Sequence, residues 1–288
     1  MKRIYLSLPS LILLAGCIAP EDEEVQPMLS LVKAREGFVT KPGGPNQPGD
    51  APPQPPPGVF NLVRYQSPAG NLAAYLTPNP GDGRRHPAIV WITGGDCNTI
   101  DELWENAPRN NDQTAAAYRR AGIVMMFPSL RGGNDNPGRR EGFFGEVDDV
   151  LAATDYLATQ DYVDPNRIYL GGHSTGGTMV MLVAESSDRY RAVFSFGPVD
   201  NVRGYPSEFL HFDTSNPKEF SLRSPGKWLH SVQSPLFVFE GTNQGNIASL
   251  RAMAKASTNP LIHFFPVGGA THFSVLAPIN ELIAAKIL

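Results

Sequence analysis

Residues 167–177 of this 288-residue chain read Arg-Ile-Tyr-Leu-Gly-Gly-His-Ser-Thr-Gly-Gly, and they decide the fold. The stretch begins as a short apolar run, typical of a buried strand, and continues as a Gly-x-Ser-x-Gly motif that leads into a predicted helix. Glycines two residues before and after Ser174 let the backbone turn sharply, which would expose the serine hydroxyl at a strained corner. The strand and helix on either side distinguish the motif from a chance pentapeptide. Ser174 is therefore the candidate nucleophile.

Similar apolar runs recur along the chain and alternate with helical patterns. Eight segments are predicted as strands: 60–67, 72–77, 87–93, 123–127, 167–171, 192–196, 235–239 and 261–265. One helix is predicted to end near Gly122, and a longer one covers about 145–160, where apolar residues recur at helical spacing. This alternation predicts the α/β class, with a mainly parallel sheet covered by helices on both faces. Ligand sites in such sheets lie at the carboxyl ends of the strands.

A serine hydroxyl is a poor nucleophile at neutral pH and needs a base. His272 follows the last predicted strand in Gly-Gly-Ala-Thr-His, a loop that can carry it back to the serine. The other five histidines lie before or within strands, in the motif itself or in an insertion: 86, 173, 211, 230 and 263. His272 is the candidate general base.

The oxyanion of a tetrahedral intermediate needs two N–H donors. Thr175 should give one, because it opens the helix whose N-terminal N–H groups and dipole point at the site. The second should come from the turn after the third strand, at Gly95 or Asp96, since Gly94-Gly95 permits close backbone approach. The alternative for this pair is a tight turn without a catalytic role.

With these motifs the sequence resembles the catalytic domain of the prolyl oligopeptidase family of serine hydrolases, over roughly residues 59–288. The motifs that carry the resemblance are Gly94-Gly95, Arg131-Gly132-Gly133, Asp148-Asp149-Val150, Asp164-Pro165-Asn166-Arg167-Ile168, the segment 172–177 and Thr271-His272. The resemblance implies an α/β-hydrolase fold with an eight-stranded, mainly parallel sheet. It also implies hydrolysis of peptide or ester bonds. Nothing before residue 58 could supply the blades of the family's propeller domain.

The sequence departs from the family at the acid of the catalytic triad. The family places that acid in a Gly-x-x-Asp turn after the seventh strand, and this chain has Gly241-Thr-Asn-Gln244 there. An amide oxygen could fix the histidine tautomer, but it could not stabilise imidazolium as a carboxylate does. Glu240 at the end of the seventh strand is the first choice of substitute, and Asp200 after the sixth is the second. Gln244, or no acid at all, remains the third possibility.

The segment of about 201–234 lies between the sixth and seventh strands, where this fold inserts a cap. It holds five aromatic residues: Tyr205, Phe209, Phe212, Phe220 and Trp228. An aromatic cap over the serine would favour an apolar acyl or leaving group. The same residues could equally pack a small core within the insertion.

Composition limits the partners. Hydrophobic residues make up 41% of the chain, which suits a globular domain with a core. The formal net charge of −4 argues against nucleic acid or an anionic membrane surface as a partner, since both require a basic face. No cluster of residues has the spacing of zinc ligands, and no cofactor is implied. The sequence leaves the oligomeric state open.

The first 57 residues predict targeting and a tether. Residues 1–16 carry Lys2-Arg3 and then an apolar run of eleven residues, which is too short to span a bilayer and predicts a signal peptide. The run ends in Leu-Ala-Gly-Cys17, which resembles the bacterial lipobox and implies lipidation of Cys17. Residues 17–57 are acidic and then proline-rich, with eight prolines among the sixteen residues 42–57, and predict an extended spacer.

Together these features predict a serine hydrolase that cleaves a small ester or short peptide through an acyl-enzyme. The enzyme would be lipid-anchored in the cell envelope, at the outer membrane facing the periplasm, because Ile18 stands where an inner-membrane retention signal has Asp. The alternative is a catalytically degenerate lipoprotein of the same fold that serves as a binding or envelope scaffold. Its support is the missing Asp at position 244.

The lipoprotein prediction can be tested at Cys17. Because the thiol would carry the lipid, Cys17→Ser should release soluble protein into the periplasm, while the wild type stays with the membrane. Metabolic labelling with a clickable palmitate measures the modification directly. A wild-type protein that takes up no label would contradict lipidation.

Overall fold

The computed structural model describes residues 28–43, 49–105 and 107–288. The predicted signal peptide (1–16) and the predicted lipidation site at Cys17 lie outside the described residues. Among the residues described, no helix is both long and apolar enough to cross a bilayer.

The described chain forms one eight-stranded sheet in the order β1-β2-β4-β3-β5-β6-β7-β8. The strands are β1 Asn61–Ser67, β2 Gly70–Leu76, β3 His86–Ile92, β4 Val124–Pro128, β5 Val163–His173, β6 Val193–Phe196, β7 Leu236–Gly241 and β8 Ile262–Val267. β2 is antiparallel to both of its neighbours, and every other adjacent pair is parallel. The predicted eight-stranded, mainly parallel sheet is confirmed.

Helices cover both faces of the sheet. In the described part of the chain the α-helices are α1 Leu31–Arg35, α2 Ala116–Arg120, α3 Glu146–Ala158, α4 Thr175–Ala184, α5 Pro217–Ser221, α6 Ile247–Ala256 and α7 Leu276–Ile287. Two hydrophobic clusters divide the core, one with α3, α4 and α6 and the other with α2 and α7. Side chains of β3 alternate between the clusters: Val90 belongs to the first and Trp91 to the second. The sheet is thus covered by helices on both faces, and the ends of its strands remain available to carry the site.

Residues 28–43 and 49–57, predicted as part of an extended tether, instead lie against the domain; we call them the N-terminal strap. Leu31 is completely buried, and its N–H donates to Ser231 Oγ (3.1 Å). Further along, the N–H of Gly49 donates to the Asn134 carbonyl (2.7 Å). The composition suggested a spacer because the segment is polar and rich in proline. Backbone donors and a few apolar side chains are enough to dock it.

A buried ion pair holds the strap to the insertion between β6 and β7. Arg223 and Glu219, one turn apart, are 0% and 1% exposed, and their side chains are 2.5 Å apart. Glu219 also accepts hydrogen bonds from Thr40 Oγ1 and the Lys41 N–H, both at 2.9 Å. This carboxylate therefore balances the arginine and fixes the strap at the same time.

Glu219→Gln should destabilise the protein by about 3–5 kcal/mol, because it removes the carboxylate that pairs directly with the buried Arg223 charge. The free energy of unfolding from urea titration measures the effect. Glu36→Gln is the control, since it breaks the exposed Lys33–Glu36 pair, whose contribution should be small. Equal stability changes in the two variants would contradict the role given to Glu219.

Candidate active site

Ser174 occupies a strained corner between β5 and α4. Its backbone angles are φ 55° and ψ −113°, a combination that a non-glycine residue adopts only when the surroundings enforce it. Two bonds hold the corner: the Ser174 N–H donates to the Phe196 carbonyl (2.7 Å), and the Ser174 carbonyl accepts from the Thr178 N–H (2.9 Å). The serine is half-buried, while the residues on either side of it are buried.

The glycines around the serine are required by close backbone contacts. A Cβ at Gly172 would lie 2.5 Å from the Gly176 carbonyl oxygen. A Cβ at Gly176 would lie 2.2 Å from the carbonyl oxygen of Ile92, at the end of β3. Any side chain at these positions would push α4 away from the sheet and change the direction of Ser174.

His272 lies in the loop between β8 and α7, and its Nδ1 is 2.9 Å from Glu240 Oε2. An ionised carboxylate can only accept, so this contact requires the proton on Nδ1 and leaves Nε2 bare. The loop itself is fixed by reciprocal bonds, in which Thr271 N–H donates to Ser274 Oγ (2.8 Å) and Ser274 N–H to Thr271 Oγ1 (3.1 Å). His272 is thus presented in the tautomer that a general base needs.

Glu240 is the last but one residue of β7 and is 0% exposed. Its Oε1 accepts from the Gly241 N–H (2.8 Å), and Oε2 accepts from the Asn246 N–H (3.3 Å) as well as from His272. A buried carboxylate needs such donors to remain ionised. Glu240 lies four residues before the position at which the family keeps its acid, yet its carboxylate reaches the imidazole directly.

The other two acid candidates point elsewhere. Asp200 Oδ1 accepts a hydrogen bond from Ser249 Oγ (2.7 Å). Gln244 is exposed, with φ at 85°, and contributes to the turn that brings the Asn246 N–H to Glu240. Within the described residues, neither side chain has a hydrogen bond to His272.

The two predicted oxyanion donors lie on segments that contact each other. Thr175 Oγ1 donates to the Gly95 carbonyl (2.8 Å), which ties the start of α4 to the turn after β3. Thr175 is the first residue of α4, where the backbone N–H has no carbonyl of its own helix to bind. Gly95 has φ at 72°, a conformation that favours glycine.

Sequence reasoning missed His173, which is fully buried beside Ser174. Its Nε2 lies 2.9 Å from the His272 carbonyl oxygen, and the two imidazole centroids are 4.5 Å apart. Burial, followed by the nearby His272 charge, lowers the pKa of His173 to about 3. The motif treats this position as variable, so the pattern gave no signal for it.

A cleft adjoins the turn that carries Gly95. A small cavity of about 50 Å³ is lined by residues that include Gly95, Phe209, His211 and Arg140. A larger cavity of about 490 Å³ shares Arg140 and His211 with it and is closed on one side by strap residues 49–53. The larger cavity is of the size that binds small ligands, and Ser174 and His272 are not among the residues that line either cavity.

The aromatic residues of the insertion divide between the two roles considered from sequence. Phe212 and Phe220 are buried against each other, with ring centroids 5.0 Å apart. Phe209, by contrast, lines the small cavity beside Gly95. Among the described residues, no group of three or more His, Cys, Asp and Glu side chains could hold a metal ion.

A sheet of this topology with a serine corner and a histidine–carboxylate pair at the strand ends defines a serine hydrolase of the α/β-hydrolase fold. The family model for the prolyl oligopeptidase family matches residues 110–259, more than half of the chain. The chain belongs to the prolyl oligopeptidase family. This membership confirms the class predicted from the sequence, a serine hydrolase.

Individual relatives are distant. Dipeptidyl-peptidase 5 of Porphyromonas gingivalis is 26% identical over 208 residues, which cover 64% of this chain and 30% of that protein. The chain therefore spans less than a third of that relative's length. A similarity of this extent agrees with membership of the family. The substrate has to be inferred from the active site.

Solved structures show the same fold. A Mycobacterium tuberculosis puromycin-hydrolyzing peptidase superposes with a TM-score of 0.64 at 18% identity, covering 80% of this chain and 40% of that one. An esterase from Pyrobaculum calidifontis superposes with a TM-score of 0.58 at 18% identity, covering 81% and 86% of the two chains. Peptidases and esterases thus share this architecture.

Glu240→Gln should lower kcat/KM by about 10²–10⁴-fold, because the amide cannot stabilise the imidazolium that forms during the reaction. Asp200→Asn is the matched control and should change kcat/KM by less than about threefold, since its carboxylate binds Ser249. Steady-state hydrolysis of a p-nitrophenyl ester measures both. If Asp200→Asn lost activity while Glu240→Gln kept it, Asp200, which follows β6, would be the triad acid instead.

Proposed function

We propose that the chain hydrolyses a small ester or short peptide through an acyl-enzyme on Ser174, with His272 as general base and Glu240 as the orienting acid. The observation that carries this function is the 2.9 Å contact between His272 Nδ1 and the buried Glu240 carboxylate, next to the serine corner. A serine hydroxyl, an imidazole and a buried carboxylate are not needed together for stability, whereas nucleophilic catalysis by serine requires all three.

In the acylation step, His272 Nε2 takes the hydroxyl proton of Ser174 while Oγ attacks the substrate carbonyl carbon. The negative charge moves to the carbonyl oxygen, where the N–H groups of Thr175 and Gly95 stabilise it. The imidazolium then gives its proton to the leaving alkoxide or amine as the bond to that group breaks. Glu240 remains ionised throughout and stabilises the positive imidazole.

Deacylation repeats the sequence with water. His272 accepts a proton from the water molecule, whose oxygen attacks the acyl carbon. The tetrahedral intermediate collapses as Nε2 returns a proton to Ser174 Oγ, which releases the acid product. No metal or cofactor is needed in this scheme, because the serine, the base and the two N–H donors supply each charge and proton.

The cleft beside Gly95 supports a small substrate. The adjoining larger cavity, of about 490 Å³, is lined in part by the strap residues Gly49, Asp50, Ala51 and Pro53. Phe209 and His211 of the insertion line the smaller cavity together with Gly95. A volume of this order suits a small ligand, and this supports a small ester or short peptide as the substrate.

Anchoring through Cys17 and an outer-membrane location facing the periplasm form the other part of the proposal. Their support is the sequence alone: Lys2-Arg3, the apolar run that follows and the Leu-Ala-Gly-Cys17 ending. A catalytically degenerate scaffold is the alternative function. Its basis was the glutamine at position 244, and the proximity of Glu240 to His272 weakens that basis.

Ser174→Ala should lower kcat for activated esters by at least about 10⁴-fold, because it removes the nucleophile while the fold remains. Parallel assays with p-nitrophenyl esters and aminoacyl amides measure the loss and also separate esterase from peptidase activity. Ser186→Ala, in the turn that follows α4, is the matched control and should behave as wild type. Near wild-type turnover by Ser174→Ala would refute the proposed nucleophile.

A further inference from the structure

We propose that His173 is a positioning residue that holds the backbone of His272 through one fixed, neutral tautomer of its imidazole. The proposal rests on the function proposed for Ser174 and His272, and it adds a residue that acts through them. His173 itself contacts neither the scissile carbonyl nor the proton that passes between Ser174 and His272.

Hydrogen-bond chemistry fixes the tautomer. His173 Nε2 lies 2.9 Å from the carbonyl oxygen of His272, and a carbonyl can only accept, so Nε2 carries the hydrogen. Nδ1 of a neutral ring is then a bare acceptor. The Gln113 amide faces that Nδ1, with Nε2 at 2.9 Å and Oε1 at 3.1 Å, and of the two only the Nε2–H group can donate to a bare nitrogen. Both ring nitrogens are thus satisfied without a second proton.

The surroundings keep the ring neutral. His173 has no solvent exposure, and burial disfavours its charged form. Its neighbours are Gln113 from the segment before α2, and Phe273 and His272 from the loop between β8 and α7, which we call the base loop. Gly94 is the fourth neighbour, in the turn after β3 (residues 94–96), which we call the oxyanion turn. Of these, His272 is the titratable one, and a proton gained by its ring opposes a charge on His173. The pKa of His173, lowered to about 3, agrees with this environment.

The ring lies where three parts of the site meet. The peptide bond links His173 to Ser174, and the Nε2 hydrogen bond links it to the base loop. A Cβ at Gly94 would lie 2.8 Å from His173 Nδ1, so the oxyanion turn packs directly on the same ring. A change in His173 therefore alters the relative position of nucleophile, base and oxyanion donors.

Two hydrogen bonds thereby define where His272 stands. Glu240 fixes its side chain at Nδ1, and His173 fixes its backbone at the carbonyl oxygen. The neutral state of His173 matters as well, because the centroids of the His173 and His272 rings are only 4.5 Å apart. A positive charge on His173 at this range would oppose the imidazolium that His272 must become during catalysis.

The tautomer is measured on the resting full-length protein by ¹⁵N–¹H NMR with labelled histidine, assigned with His173→Gln. We expect the Nε2–H tautomer for His173 and no titration of this ring between about pH 5 and 8. An Nδ1–H tautomer, or a titration midpoint inside that range, would overturn the proposal. This measurement does not depend on activity, so it stands even if Ser174→Ala shows that the proposed function is wrong.

Kinetics test the positioning role. His173→Phe keeps a ring but removes the donor, and should lower kcat by about 10- to 100-fold with KM within about threefold. His173→Gln places an amide N–H at a similar reach and should recover kcat to within about fivefold of the wild type. His263→Gln, on the exposed edge strand β8, is the control and should leave both constants unchanged.

Wild-type kcat in His173→Phe, or equal impairment of His173→Phe and His173→Gln, would overturn the role. If His173→Phe does not fold, two measurements still test the proposal. They are kcat of His173→Gln relative to the wild type, and the tautomer of His173 seen by NMR. Impairment of His173→Gln beyond about fivefold then counts against the proposal.

Discussion

The charge of Glu240 has to be satisfied inside the protein, because the carboxylate has no exposure to water. Three N–H groups meet it: from Gly241 on its own strand, from Asn246 at the start of α6 and from His272 beyond β8. These donors come from separate segments, so one buried carboxylate links the end of β7, the start of α6 and the loop after β8. The tautomer of His272 follows from the same constraint, since an ionised carboxylate can face only a donor.

Space for this arrangement comes from the absence of side chains. A Cβ at Gly197, just after β6, would lie 2.4 Å from His272 Cε1 and 2.6 Å from Glu240 Oε2. A Cβ at Gly245 would lie 2.7 Å from His272 Cβ. Glycines in the segments that follow β6 and β7 thus leave a slot that the imidazole fills. Packing against these glycines and the hydrogen bond to Glu240 thus favour the same position of the His272 ring.

Much of this could be predicted from the sequence, because the determinants are local. Apolar runs bounded by turn residues placed all eight strands, although β5 begins at Val163, four residues before the predicted start. Ser174 and His272 were predicted from a motif and from chain order. Glu240 was the first choice of acid on position alone, and its distance to His272 agrees with that choice.

Other features depend on contacts between distant residues. The strap was assigned to a spacer because its composition is polar, yet Leu31 and the Gly49 N–H find partners on the domain. His173 was set aside because a motif's variable position carries no pattern, while its role depends on a carbonyl 99 residues further along the chain. Composition and periodicity contain no information of this kind.

The central claim is that Ser174, His272 and Glu240 act as one catalytic unit on an oxyanion held by Thr175 and Gly95. A crystal structure of the protein after reaction with a fluorophosphonate tests it most directly. The account predicts phosphorus bonded to Ser174 Oγ, with one phosphoryl oxygen about 2.7–3.1 Å from the backbone nitrogens of Thr175 and Gly95. An unreacted Ser174, or an adduct whose phosphoryl oxygen points away from both nitrogens, would contradict it.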